Sequence, residues 1–367
     1  MTSRVSRPLL AAGVLVAALL ALRGAASLVS VAPPRSATPA TGSSRPTVAV
    51  ATTRPVVLAE ATGASLLLGG EDGLFRVDLD TRTVRPVRLP DGAPGSDGGL
   101  VRGDGTVVAV RGGTAYAAPV RPGRPATRLG PAAFALASAA PRRVWLVEQT
   151  GDPDRWFAVR EVALGGPDGQ APVVARGTLA LGRRPVAGVP GGLLVDVLGR
   201  GGGLAVWSPR TGLASVRLRS TSPVAVVATS GRRVAWVEGE TLHLGDLASG
   251  RARVVPPPAG SGGFTAAGAF SPDGRMLAAV TQVGFSTRPA LALVRVDRGE
   301  AVRVAGSDGA LADRCSPCLA WAPAGDWVFF NRLGPGFGIG AYRLNHPTAA
   351  RVPLDVPGSF PPSLQTI

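Results

Sequence analysis

Residues Phe270 to Val280, Phe-Ser-Pro-Asp-Gly-Arg-Met-Leu-Ala-Ala-Val, constrain the fold more than any other stretch of this chain. An apolar run enters a tight bend, Pro272 presets φ near −65° at the first turn position, and Asp273-Gly274 supplies local hydrogen bonding and a residue tolerant of positive φ. A second apolar run then leaves, so the unit reads as a β-hairpin. Weaker copies recur from about Val56 to Leu354. With 50 Gly and 34 Pro the chain suits many short strands joined by turns, and outside the N-terminus it shows no run with helical periodicity.

The strand candidates fall into groups of four. The first takes Val56 to Glu60, Ser65 to Gly69, Gly73 to Asp78 and Val84 to Leu89. Later groups open at Gly99, Ala133, Val186, Val224, Phe264 and Cys318. These openings average near the roughly 40 to 45 residues of one four-stranded propeller blade. One such sheet cannot bury both of its faces, whereas blades arranged in a ring bury them against one another. The expected architecture is all-β, a propeller of seven four-stranded blades over residues 56–355, followed by a C-terminal tail, 356–367.

The hairpin at Phe270 to Val280 and its relative at Ala320 to Phe330 resemble the TolB-type, WD-repeat-like propeller repeat, in which an aromatic residue precedes Ser-Pro-Asp-Gly and an apolar strand follows. The second copy departs from the pattern, with Ala322-Pro323-Ala324-Gly325 in place of that run. The resemblance implies the fold. It does not imply one function, because propellers host binding, scaffolding and several chemistries.

Residues 1–32 read as a targeting segment. Arg4 and Arg7 precede an uncharged run from Pro8 to Leu22, Arg23 interrupts it, and a second uncharged stretch reaches Ala32. That charge bias predicts that the N-terminus stays in the cytoplasm and the rest crosses. Gly24-Ala25-Ala26 offers a signal-peptide cleavage site. An uncleaved anchor helix over Pro8 to Ala32, with Arg23 at the outer interface, competes with it and is favoured because Arg23 abuts the cleavage site. Residues 33–55, rich in Pro, Ser and Thr, read as a disordered linker, with Thr47 to Thr52 as a strand-like exception. The expected location is the cell membrane, single-pass, with the propeller outside the cytoplasm. Secretion after cleavage is the alternative.

The net charge of +15 comes from Arg alone, since no Lys occurs. The pattern fits a coding bias of actinobacterial type toward Arg, Ala, Gly and Pro. The arginines are scattered singly or in pairs such as Arg183-Arg184 rather than clustered with aromatics, which argues against a nucleic-acid partner.

Cys315-Ser-Pro-Cys318 is the only cysteine pair. No helix follows it, as a thioredoxin-like site would require, and a zinc site would need two more ligands, with His243 and His346 in different blades. In an oxidising compartment a local disulfide between Cys315 and Cys318 is the favoured reading over free or redox-active thiols and over metal. His243 alternates with apolar neighbours on a strand, and His346 lies in a turn. Most acids sit in Asp-Gly bends, where backbone geometry explains them. Glu148, Glu238 and Glu240 are the exceptions, and Glu148 and Glu238 end corresponding strands. Trp145, Trp236 and approximately Trp327 repeat at second-strand positions, as inter-blade packing residues would. No nucleophile elbow or phosphate loop is present, so no catalytic, cofactor or metal residues are assigned. The expected role is a non-enzymatic, exported, membrane-tethered module that binds a protein, peptide or cell-envelope glycan through one ring face. The alternative is a propeller enzyme, a hydrolase, lactonase-like or quinone-dependent dehydrogenase, with its site at the central channel.

Overall fold

The computed structural model describes Leu58 and residues 60–366 except 71–72, 82, 88–99, 104–105, 120–125, 166–170, 200–201, 213, 221–223, 283–287, 311–316, 335 and 353–362. The expected targeting segment, the linker and the strand-like Thr47 to Thr52 lie outside the described residues, as do Val56 and Val57.

Seven four-stranded antiparallel sheets make up the described chain. Blade 1 holds β1 (Ser65–Gly70), β2 (Gly73–Asp78) and β3 (Thr83–Val87), and blade 2 holds β4 (Leu100–Gly103), β5 (Thr106–Arg111), β6 (Thr114–Pro119) and β7 (Thr127–Pro131). Blade 3 comprises β8 (Phe134–Ala137), β9 (Arg143–Gln149), β10 (Phe157–Ala163) and β11 (Val173–Leu179). Blade 4 comprises β12 (Arg183–Val189), β13 (Gly192–Val197), β14 (Gly203–Trp207) and β15 (Ala214–Arg219). Blade 5 is β16 (Val224–Ser230), β17 (Arg233–Glu238), β18 (Thr241–Asp246) and β19 (Arg251–Val255). Blade 6 is β20 (Gly263–Phe270), β21 (Met276–Gln282), β22 (Ala290–Arg295) and β23 (Glu300–Arg303). Blade 7 is β24 (Leu319–Trp321), β25 (Trp327–Gly334), β26 (Gly336–Arg343) and β27 (Ala350–Val352).

The fourth strand of blade 1 comes from the far end of the chain. Strand β28 (Ser363–Thr366) pairs antiparallel with β1, Leu66 opposite Thr366 and Leu68 opposite Leu364. The expected first strand, Val56 to Glu60, does not take that place, and Leu58 and Glu60 lie outside any strand. Part of the expected C-terminal tail is therefore integral to the ring. The strands β28, β4, β8, β12, β16, β20 and β24 touch in succession, and β24 touches β28, which closes the circle.

Side-chain periodicity explains why the second strands read as continuous apolar runs. In a strand, alternate residues face opposite sides of the sheet. In β1, Leu66 and Leu68 enter a cluster with Ala320, Phe329 and Ile339 of blade 7, whereas Leu67 packs with Val107 and Ala109 of blade 2. Val108 and Val110 then face Val144 and Leu146 of blade 3. The same arrangement fills the junctions between blades 3 and 4, 4 and 5, 5 and 6, and 6 and 7. Each junction has its own apolar core, and none belongs to a single sheet.

The Phe270 to Val280 hairpin folds as its residues dictate. Ser271, buried, receives the Met276 N–H on its Oγ at 2.9 Å and donates to Asp273 Oδ1 at 2.6 Å. Asp273 also accepts the Arg275 N–H at 3.0 Å. Gly274 has φ +69°, which a side chain would strain. In blade 7 the Ala322-Pro-Ala-Gly turn lacks those side chains yet keeps the backbone, with Gly325 N–H on Ala322 O at 2.9 Å and φ +77°.

Candidate functional site

Because neighbouring strands run antiparallel from the innermost outward, each blade sends its first-to-second and third-to-fourth turns to one side of the ring. We call that side the turn face. The second-to-third turns and the connections between blades emerge on the other side, the crossover face. Blades 3 and 4 are joined there by a short connection, 180–182.

The innermost strands read Leu-Val-Arg-Gly, Phe-Ala-Leu-Ala, Arg-Arg-Pro-Val-Ala-Gly-Val, Val-Ala-Val-Val-Ala-Thr-Ser, Gly-Phe-Thr-Ala-Ala-Gly-Ala-Phe, Leu-Ala-Trp and Ser-Leu-Gln-Thr. Small and apolar residues dominate them, and their only charged residues are Arg102, Arg183 and Arg184. Carboxylates enter one strand further out, at the crossover ends of the second strands: Glu148 on β9, Asp196 on β13 and Glu238 on β17.

Asp196 is buried, and Arg184 Nη2 donates to its Oδ2 at 3.2 Å. Burial pushes the Asp196 carboxyl above the usual carboxylate range, an effect the Arg184 charge opposes. Arg184 also reaches the Val224 carbonyl of blade 5 at 3.5 Å, so the pair links two blades. Sequence reasoning missed Asp196. The available signal was one acid inside Gly-Leu-Leu-Val-Asp-Val, an otherwise apolar run.

Of the residues singled out in the sequence, the structure brings three together, Glu238, His243 and Trp236. His243 Nε2 lies 3.8 Å from Glu238 Oε2, and the His243 ring stacks on Trp236 with centroids 5.0 Å apart and planes at 13°. Glu240 occupies the next turn, where its carbonyl accepts the Phe264 N–H of blade 6 at 2.9 Å. Glu148 sits two blades away from Glu238. His346 is exposed, its Nδ1 3.3 Å from the Thr348 carbonyl. Cys318 is buried just before β24, and Cys315 lies outside the described residues. Trp145, with Trp207 edge-on at 6.1 Å, fills the core between blades 3 and 4, Trp236 that between 4 and 5, and Trp327 that between 7 and 1. Among the described residues no three His, Cys, Asp or Glu side chains converge as metal ligands would.

The crossover face of blades 3 and 4 also carries an apolar prominence. Leu181 is 59% exposed and Leu198 55%. Leu181 N–H donates to the Pro153 carbonyl at 2.8 Å and Leu198 N–H to the Gly182 carbonyl at 2.9 Å, so the backbone of both exposed leucines is held by bonds on this face, and Pro153 is exposed as well. Around them stand the exposed Asp152, Asp154, Arg155, Arg183 and Arg184. Scattered exposed leucines are ordinary on protein surfaces, so these two matter for standing on one face among charged residues.

No family model matches the chain, and no curated protein matches its sequence. Solved structures share the fold. A putative 6-phosphogluconolactonase from Bacteroides fragilis superposes with a TM-score of 0.52 at 14% identity, over 83% of this chain and 98% of that one. An oligogalacturonate lyase from Vibrio parahaemolyticus gives 0.51 at 10% identity, over 78% and 93%. TolB from Acinetobacter baumannii gives 0.46 at 12%, over 82% and 81%. At such identities the likeness shows the propeller fold alone.

Proposed function

We propose that this seven-bladed propeller is a binding module that docks a protein partner on its crossover face, over blades 3 and 4, and that it does so outside the cytoplasm, tethered by residues 1–32. The observation that carries the reading is the Leu181–Leu198 prominence with its charged rim. Apolar anchors surrounded by polar groups supply most of the energy in protein interfaces, and backbone bonds that fix them beforehand lower the ordering cost of association. The channel strands, dominated by small and apolar residues with Arg as their only charged type, offer walls suited to a passive bore rather than to acid–base chemistry. The N-terminal charge bias supports export, and in that compartment a Cys315–Cys318 bridge would stiffen the connection leading into β24.

The test is site-specific photocrosslinking in native cells, with the crosslinker placed at Leu181, at Leu198 and, for comparison, at Val302 on the outer edge of blade 6, which is 67% exposed. The expected result is one common protein adduct from Leu181 and Leu198, absent from Val302 and reduced by Arg183→Glu. Adducts from all three positions alike, or none from the leucines, would sink the assignment. Protease shaving of intact spheroplasts checks the location: a propeller that survives it is not outside.

A further inference from the structure

The groove between blades 5 and 6 on the turn face is a second place where charge and shape converge. It encloses about 240 Å³ and is lined by Arg233, Arg251 and Arg253 with Leu244, Phe270 and Val296. This is below the roughly 300 Å³ at which small-molecule and cofactor pockets begin, and it suits a single large side chain.

Two of the three guanidinium groups are fixed in advance. Arg233 Nη1 donates to the Gly274 carbonyl at 2.6 Å. Arg253 donates from Nη1 to Asp297 O at 2.7 Å and from Nη2 to Val296 O at 2.6 Å, both across the blade junction. Each keeps further N–H donors, since a guanidinium carries five. The exposed Arg251 makes no ion pair among the described residues. Asp246 is the one carboxylate in the lining, and it is engaged with its own turn, accepting the Ala248 N–H at 2.9 Å and the Ser249 N–H at 2.8 Å. The lining keeps an excess of positive charge over an apolar wall.

We infer that this groove binds the C-terminal residue of a peptide, its free carboxylate held by the arginines and its apolar or aromatic side chain lodged against Phe270, Leu244 and Val296. Planar guanidinium forks match a carboxylate in a way a point charge does not, and a fork already oriented by carbonyls loses little freedom on binding. A Phe or Leu terminus places its acid and apolar group on the same residue, as the lining does. The site lies on the turn face, so it stands or falls separately from the docking patch at Leu181 and Leu198.

The test uses the purified full chain and the peptide acetyl-Gly-Gly-Phe as free acid, as C-terminal amide, and alongside N-acetyl-phenylalanine, with affinities measured by calorimetry. The acid should bind at least about tenfold more tightly than the amide, and Arg251→Ala should weaken it by about tenfold, or roughly 1.4 kcal/mol, with no change in melting temperature. Equal affinity for acid and amide, or an Arg251→Ala variant that binds like the wild type, overturns the site. Equal affinity for N-acetyl-phenylalanine and the peptide overturns the peptide assignment in favour of a free small acid.

Discussion

Leu364 N–H donates to the carbonyl of Pro317 at 2.8 Å, so the last strand of the chain is bonded to the connection that leads into blade 7 as well as to β1 of its own sheet. The Thr366 hydroxyl repeats the link on the Trp321 carbonyl. Leu364 itself is fully buried in the core shared by blades 7 and 1. Leu364→Ala should therefore destabilise the propeller by about 2–5 kcal/mol, the range for emptying a buried leucine site. Chemical denaturation followed by Trp fluorescence reads this, and a loss below about 1 kcal/mol would mean that β28 is not integral to the ring.

Gly340 is a packing position rather than a turn. It pairs with Phe330 across β25 and β26, and a Cβ there would lie 2.1 Å from the Phe330 ring. Phe330 is fully buried. Gly340→Ala should cost about 1–3 kcal/mol through overpacking, and Gly340→Ala combined with Phe330→Leu should recover part of that loss. Thermal melts of the single and double variants provide the check.

Burial raises the Asp196 pKa above its unfolded value, so the folded state holds the proton more tightly. The stability this contributes is full below the ordinary carboxylate pKa and is lost as pH rises through the folded value. Asp196→Asn should flatten that decline, gaining stability relative to the wild type at pH 7 compared with pH 4. Arg184 is left without its partner but is more than half exposed and solvated. Denaturation midpoints measured from pH 4 to 8 decide it: parallel curves for the two proteins would contradict the expectation.

Asp273 runs the opposite way. The Ser271 hydroxyl and the Arg275 N–H hold its carboxyl below the usual range. Its contribution is present above the unfolded pKa and is lost as pH falls through the folded one. Because the group stands largely in water, Asp273→Ala should cost only a few tenths of a kcal/mol at pH 7 and less in acid, read from the same midpoints.

Blade 5, expected to open at Val224 and found to do so, is encoded locally: its strands Arg233 to Glu238, Thr241 to Asp246 and Arg251 to Val255 are separated by Gly-containing bends that local chemistry dictates. Blade 1 was legible in three strands out of four. Its inner strand, Ser-Leu-Gln-Thr, is short, lacks a flanking hairpin and pairs across nearly the whole chain, and no local pattern encodes such a partner. The site was less readable still. Leu181 and Leu198 look like ordinary apolar residues until the fold leaves both exposed at the same end of blades 3 and 4. The carbonyls that orient Arg233 and Arg253 belong to another blade, far from either residue in sequence.

The way the chain enters its ring has a mechanical consequence. Thr62 and Gly63 donate their N–H groups to the Asp80 carboxylate at 2.7 and 2.9 Å, and β1 then runs between β28 and β2, hydrogen-bonded along both edges. Tension applied from upstream of Leu58 would be carried first by that clasp and then by two ladders sharing the load in shear, instead of peeling a lone edge strand bond by bond. A pull on that entry strand is thus resisted along two edges rather than one.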